Sequence, residues 1–213
     1  IEPELIASIM AEVDGRRVVF SLGERSREYY ESLRSAGVLR YFLEHKTASP
    51  ILYNELHPER DYFDRIECIQ TLLELGFDVG TSISVGLPQQ DCWDIADDLL
   101  QIKKLGLDTV IVGPFFPGVQ CPLSDSPRGS IQASLNAIAV ARLLLKDVRI
   151  PGSLSFTLLD SGSSVEALRW GADSIICNYS FSDGNAAKGL PLCEKISTRI
   201  RSLGRKLGSR NSA

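Results

Sequence analysis

The densest acid–base chemistry in this 213-residue sequence is the consecutive triplet Glu44, His45 and Lys46. It closes a β-rich apolar segment, RYFLEHKT (40–47). On an extended strand Glu44 and Lys46 point to one side and His45 to the other. A lysine desolvated there could form a Schiff base with a carbonyl substrate, as in class I aldolases. The simpler reading is a Glu44–Lys46 ion pair at the rim of a sheet. His45 reads as a hydrogen-bonded strand-end histidine, because no partner carboxylate can be assigned to it. The other polar groups at strand ends are mainly hydroxyls and an amide: Ser21 with Glu24 and Arg25, Ser82 and Ser84, Ser155 and Thr157, and Asn178 with Tyr179. So many polar groups at the ends of apolar strands predict a mouth that takes a small polar molecule. DSGSS (160–164) could hold an anion on backbone N–H groups or serve as a plain N-cap. Walker-type phosphate loops and GxGxxG fingerprints are absent.

The elements that must position these groups follow from a repeated joint. Five times a helix-like stretch ends in glycine and runs into a β-rich segment, with Gly15, Gly37, Gly76, Gly106 and Gly171 at the turn. A left-handed glycine closes a helix, and the next strand then starts again in the same direction, as in repeated βα units. Strands are expected at 17–22, 38–45, 78–85, 108–113, 153–159 and 172–177. Helices are expected at 3–14, 26–36, 61–75, 91–105, 131–146, 163–170 and 191–203, with a long loop at 47–60. TVIVG (109–113) and SIIC (174–177) are apolar on both faces, as parallel strands covered on both sides require. The fold class is therefore α/β, read as an incomplete parallel (βα) TIM-type barrel of about six units. An open doubly wound sheet is the alternative. The division is a lead-in helix at 1–16, six βα units at 17–178, and a C-terminal loop, helix and basic tail at 179–213, all in one partial domain.

Composition narrows the partners. A net charge of −4 gives no electrostatic reason to expect nucleic acid, and no uncharged apolar run of membrane-spanning length is present. The five cysteines, at 68, 92, 121, 177 and 193, form no CxxC or CxxxCxxC set. Their odd, scattered count fits a reducing cytoplasm better than a disulfide framework. The sequence starts at Ile1 within a helical pattern, so its front end is expected to have been trimmed.

Several stretches together resemble the radical S-adenosylmethionine enzymes. They are FSLGERSREYYESLRSAG, RYFLEHKTASPILYNELHPERDYFDRIECIQTLLELGF, SVGLPQQ, GPFFPGVQCPL and RWGADSIICN. The group concerned holds the iron–iron hydrogenase maturase, methylornithine synthase and biotin synthase, and the likeness runs from about 18 to 178. It implies a (βα)₈ barrel of which this chain supplies units three to eight. In that family a CxxxCxxC loop after the first strand carries a [4Fe–4S] cluster that cleaves S-adenosylmethionine reductively. That loop is not in this sequence, so the parent protein is expected to be an enzyme and this chain alone inactive. The resemblance gives Arg65 the cofactor's carboxylate, a contact suited to a guanidinium fork. It gives Lys46 and Ser84 positions on the cofactor. The family's HET reads HKT here, which reverses the charge at 46, and Ser84 stands where a larger apolar residue is usual. Ser21, Glu44, Ser155, Thr157 and Asn178 are expected to line the substrate pocket. Two other readings stay open: a non-catalytic barrel remnant completed by a partner chain or a second copy, and a Schiff-base lyase using Lys46.

Overall fold

The structure, a computed structural model, describes residues 3–13, 18–118, 123–160, 163–176, 196–202 and 204. Five parallel strands form one sheet in the order β1-β2-β3-β4-β5: Arg40–Phe42, Asp78–Val85, Thr109–Pro114, Pro151–Gly152 and Ser174–Ile175. Each strand pairs with its sequence neighbour. An open doubly wound sheet reverses its strand order at a switch point, and no reversal occurs here. The consecutive order is that of a barrel wall.

Helices connect the strands. They are α1 (Pro3–Glu12), α2 (Arg27–Ser35), α3 (Pro50–Leu56), α4 (Tyr62–Glu74), α5 (Cys92–Leu105), α6 (Ile131–Leu144), α7 (Leu154–Leu159) and α8 (Ser163–Arg169). The joints work as the glycine pattern requires. Gly37, Gly76, Gly106 and Gly171 all have positive φ, and Gly106 at φ 68° caps α5 by donating to the carbonyls of Ile102 and Lys103. Gly15 lies outside the described residues. At the other end of α5, Asp91 and Asp94 form a reciprocal capping box. The apolar faces of α4, α5 and α6 (Ile69, Leu72, Leu99, Ile102, Ile138, Ala141) bury against Val79, Val110 and Val112 of the central strands. Among the described residues, no helix is long and apolar enough to cross a membrane.

Five expectations need correction. The strand expected at 38–45 is shortened to Arg40–Phe42. The described part of the strand expected at 17–22 forms one parallel bridge, Phe20 with Tyr41, so among the described residues the sheet has five strands and a single added rung. The loop at 47–60 contains α3, which starts at a Ser49 N-cap with Pro50 in its first turn. The segment 153–159 is helical, not extended. The Ser153 side chain accepts from Ser155 N–H and starts α7, leaving only Pro151–Gly152 in the sheet. Of the strand expected at 172–177, the extended part among the described residues is Ser174–Ile175, and of the helix at 191–203 the helical part described is 196–202.

Gly113, at the end of β3, shows how closely α7 approaches. A Cβ there would come within 2.9 Å of Ser155 Oγ and closer still to Ser153. Gly113→Ala is expected to cost about 1–3 kcal/mol through forced displacement of α7. An unchanged urea midpoint would show that the wall yields freely.

Candidate functional site

A cavity of about 300 Å³ opens at the C-terminal ends of β1, β2 and β3, at the end of a parallel sheet where ligands bind. Glu44 and Lys46 follow β1, Ser82 and Ser84 belong to β2, Gly113 ends β3, and Ser153 and Ser155 follow β4. Leu56, His57, Leu87, Phe115 and Phe116 are among the other lining residues. The cavity combines hydroxyls, one carboxylate, one ammonium, one imidazole and an apolar surround.

Lys46 Nζ lies 2.6 Å from Glu44 Oε2, which makes an ion pair inside the cavity. The backbone there is unusual. Lys46 has φ 65°, in the left-handed region that a side chain disfavours, and Thr47 N–H donates to the His45 carbonyl at 2.7 Å across it. This is the rarer, strained form of γ-turn. It persists because its surroundings fix it. Lys46 N–H donates to Ser82 O, and Ser84 N–H donates to Lys46 O. From α5, the buried Asp98 Oδ1 accepts from Ala48 N–H at 2.5 Å and from the Thr47 hydroxyl at 3.1 Å. Burial pushes the Asp98 carboxyl up to about 7, against the pull of those two bonds.

His45 points away from the cavity. It is fully buried, with Nδ1 2.8 Å from Thr81 Oγ1, and Nε2 has no partner. Burial, with Arg65 and Lys46 nearby, lowers it to about 4 and keeps it neutral. The strand-end reading describes this environment.

Arg65 on α4 does not line the cavity; it supports its rim. Its Nη1 donates to the Glu44 carbonyl at 2.8 Å, and its guanidinium carbon sits 5.8 Å from the Tyr53 ring centre. Its Nε lies 2.7 Å from Glu24 Oε1 but off line for a directed hydrogen bond, so that contact is an ion pair. Arg60 donates to the other Glu24 oxygen at 2.7 Å. The loop presenting Glu24 is itself fastened. Tyr41 Oη donates to Gly23 O at 2.7 Å, and Arg25 N–H donates to Tyr30 Oη at 2.9 Å.

Of the expected pocket residues, Glu44, Lys46, Ser84 and Ser155 come together, Ser155 from a helix rather than a strand. Ser21 is exposed and outside the lining. Thr157 lies about half a turn further along α7, its Oγ1 buried without a partner, and does not line the cavity. Asn178 lies outside the described residues. Two residues escaped the sequence reading. Ser153 was hidden by the strand assignment at 153–159. His57 caps the C-terminus of α3, so the missed helix concealed it; the SP pair at 49–50 was the available signal.

No family model matches the sequence. Over 83% of its length the chain is 39% identical to the iron–iron hydrogenase maturase subunit HydE of Thermotoga maritima, of which it covers 51%. It is 33% identical to the biotin synthase of Rippkaea orientalis over 59% of its own length and 33% of that protein. The chain thus spans about half the length of the maturase and a third of the length of the biotin synthase. Among solved structures, methylornithine synthase superposes with a TM-score of 0.81 at 22% identity, over 98% of this chain and 63% of that one. The hydrogenase maturase HydG gives 0.71 at 19% identity, over 96% of this chain and 53% of that one. Sequence likeness to a maturase and to biotin synthases, on an incomplete barrel wall of the same fold, puts this chain among the radical S-adenosylmethionine enzymes of the hydrogenase maturase and biotin synthase group.

Proposed function

We propose that this chain forms part of the barrel of a radical S-adenosylmethionine enzyme, and that its cavity holds S-adenosylmethionine beside a small polar substrate. The observation that carries the reading is the convergence of Glu44, Lys46, Ser82, Ser84, Ser153 and Ser155 from the ends of β1, β2 and β4 on one cavity. These residues suit such a ligand. Ser82 Oγ is buried in the cavity wall without a partner, an unmet hydrogen bond that a ligand hydroxyl would satisfy. The Glu44 carboxylate and Lys46 ammonium offer opposite charges to the two ends of a zwitterion. Arg65 steadies this arrangement from outside through the Glu44 carbonyl.

The iron–sulfur cluster does not fit the described residues. Among them no three His, Cys, Asp or Glu side chains converge, and Cys68 and Cys92 stand on different helices. No radical step is therefore assigned to these residues; their part is to bind and orient.

Calorimetric titration with S-adenosylmethionine tests the proposal. Ser82→Ala removes the unpartnered hydroxyl that the ligand would bond and is expected to weaken binding about tenfold, a loss near 1.4 kcal/mol. Its thermal midpoint should stay close to that of the parent chain. Equal affinity in the two proteins, or no binding by either, would sink the cavity assignment.

A further inference from the structure

We propose that His57 is the proton-accepting group of the cavity, contacting a substrate atom that carries a hydrogen, such as an ammonium or hydroxyl; this rests on the cavity being the substrate site. His57 Nδ1 lies 3.1 Å from the Tyr53 carbonyl. A carbonyl can only accept, so Nδ1 carries the hydrogen and Nε2 keeps its lone pair. The ring is held in place by stacking on Tyr53, with centroids 4.6 Å apart and planes at 29°. Tyr53 is in turn packed by Tyr62 edge-on and by the Arg65 guanidinium. Among the described residues nothing bonds to Nε2, and His57 lines the same cavity as Glu44 and Lys46. A fixed tautomer with its bare nitrogen beside a polar cavity is the arrangement a general base requires.

Its surroundings keep it unprotonated near neutrality. Burial lowers His57 below the usual histidine value, and Arg65 on α4 and Lys46 after β1 act in the same direction. The Tyr53 carbonyl on α3 and the Glu24 carboxylate oppose them, and Glu44 faces the same cavity. In the transfer, the substrate heteroatom keeps its electron pair while the proton moves to Nε2. The imidazolium returns it to solvent through the cavity mouth. Neither oxidant nor reductant is needed.

Carbethoxylation by diethyl pyrocarbonate, which acylates neutral imidazole, is the test. The sequence has two histidines, and His45 is fully buried. The intact chain should therefore take up one carbethoxy group, followed at 240 nm, with a rate that rises along a single titration centred below pH 6.5. His57→Gln should abolish it, and His57→Asn serves as a second variant should the first fail to fold. Saturating S-adenosylmethionine should slow the wild-type reaction about tenfold or more. A silent His57, or a titration centred at or above pH 6.5, would overturn the proposal. Normal reactivity without protection would instead overturn the cofactor assignment and leave the base in place.

Discussion

Removing the Glu24 carboxylate is expected to destabilise the protein by about 3 kcal/mol, more than any other single change at the rim of the site. Glu24 and Arg65 are mostly withdrawn from water, their side chains 14% and 12% exposed. Glu24→Ala would leave the Arg65 guanidinium buried against the Tyr53 ring with only the Glu44 carbonyl to bond. An uncompensated buried charge costs more than the intact pair contributes, which is why the single deletion is severe. Arg60 is exposed and pairs with the other Glu24 oxygen, so its own loss should cost less than about 1 kcal/mol. Urea unfolding of Glu24→Ala, Arg65→Ala and the double variant gives the coupling directly. If Glu24→Ala loses under 1 kcal/mol, or the effects of the two single changes simply add, Arg65 does not depend on Glu24. The functional consequence is separable, because Arg65 holds the Glu44 carbonyl: its loss should loosen the Glu44–Lys46 pair before the fold itself fails.

Much of this arrangement is legible in the sequence, for identifiable reasons. The central strands Asp78–Val85 and Thr109–Pro114 match their expected limits to within one residue. TVIVG (109–113) is apolar on both faces, and both strands follow helices closed by glycine, so turn chemistry supports the pattern there. SLSFTLL (153–159) fails for a complementary reason. Leu154, Phe156 and Leu158 alternate with polar residues and mimic a strand, yet seven residues are too few to separate the two periods. The Ser153 cap decides the matter: Phe156 is fully buried while Leu158 is 55% exposed. The strand at 38–45 was too long for a different reason. Pairing with β2 does continue to Lys46 and Ile83, but the positive φ at Lys46 turns the backbone out of extended geometry. That strain comes from Asp98, some fifty residues away in sequence, and no local pattern reports it. The likeness to the radical enzymes led to Arg65 and Lys46. It did not reveal that Arg65 is engaged by Glu24 or that Lys46 is paired with Glu44.

Stability is expected to change little between pH 4 and 7 in the parent protein, because two buried groups pull in opposite directions. Burial lifts Asp98 from 3.8 to about 7, so in this window the folded chain holds a proton that the unfolded chain has released. Its contribution is full below pH 4 and is lost as pH rises through 7, about 4 kcal/mol at 1.36 kcal/mol per unit. His45 is lowered from 6.5 to about 4, first by burial and then by Arg65 and Lys46, so here the unfolded chain holds the extra proton. Its contribution is full above pH 6.5 and is lost as pH falls toward 4, about 3 kcal/mol. His57, also lowered, adds in the same direction as His45. Asp98→Asn should therefore expose the histidine slope, with stability rising toward neutrality. His45→Gln should expose the carboxyl slope, with stability falling by a few kcal/mol over the same range. Urea unfolding at pH 4, 5.5 and 7 separates the two. Parallel pH profiles for both variants would mean that neither group titrates as its burial demands. Asp98 also fastens the Thr47–Ala48 turn that carries Lys46 into the cavity. Deprotonation at neutral pH thus strengthens the two hydrogen bonds that hold the strained lysine while destabilising the fold around it, so stability is spent at the point where the site requires a fixed cation.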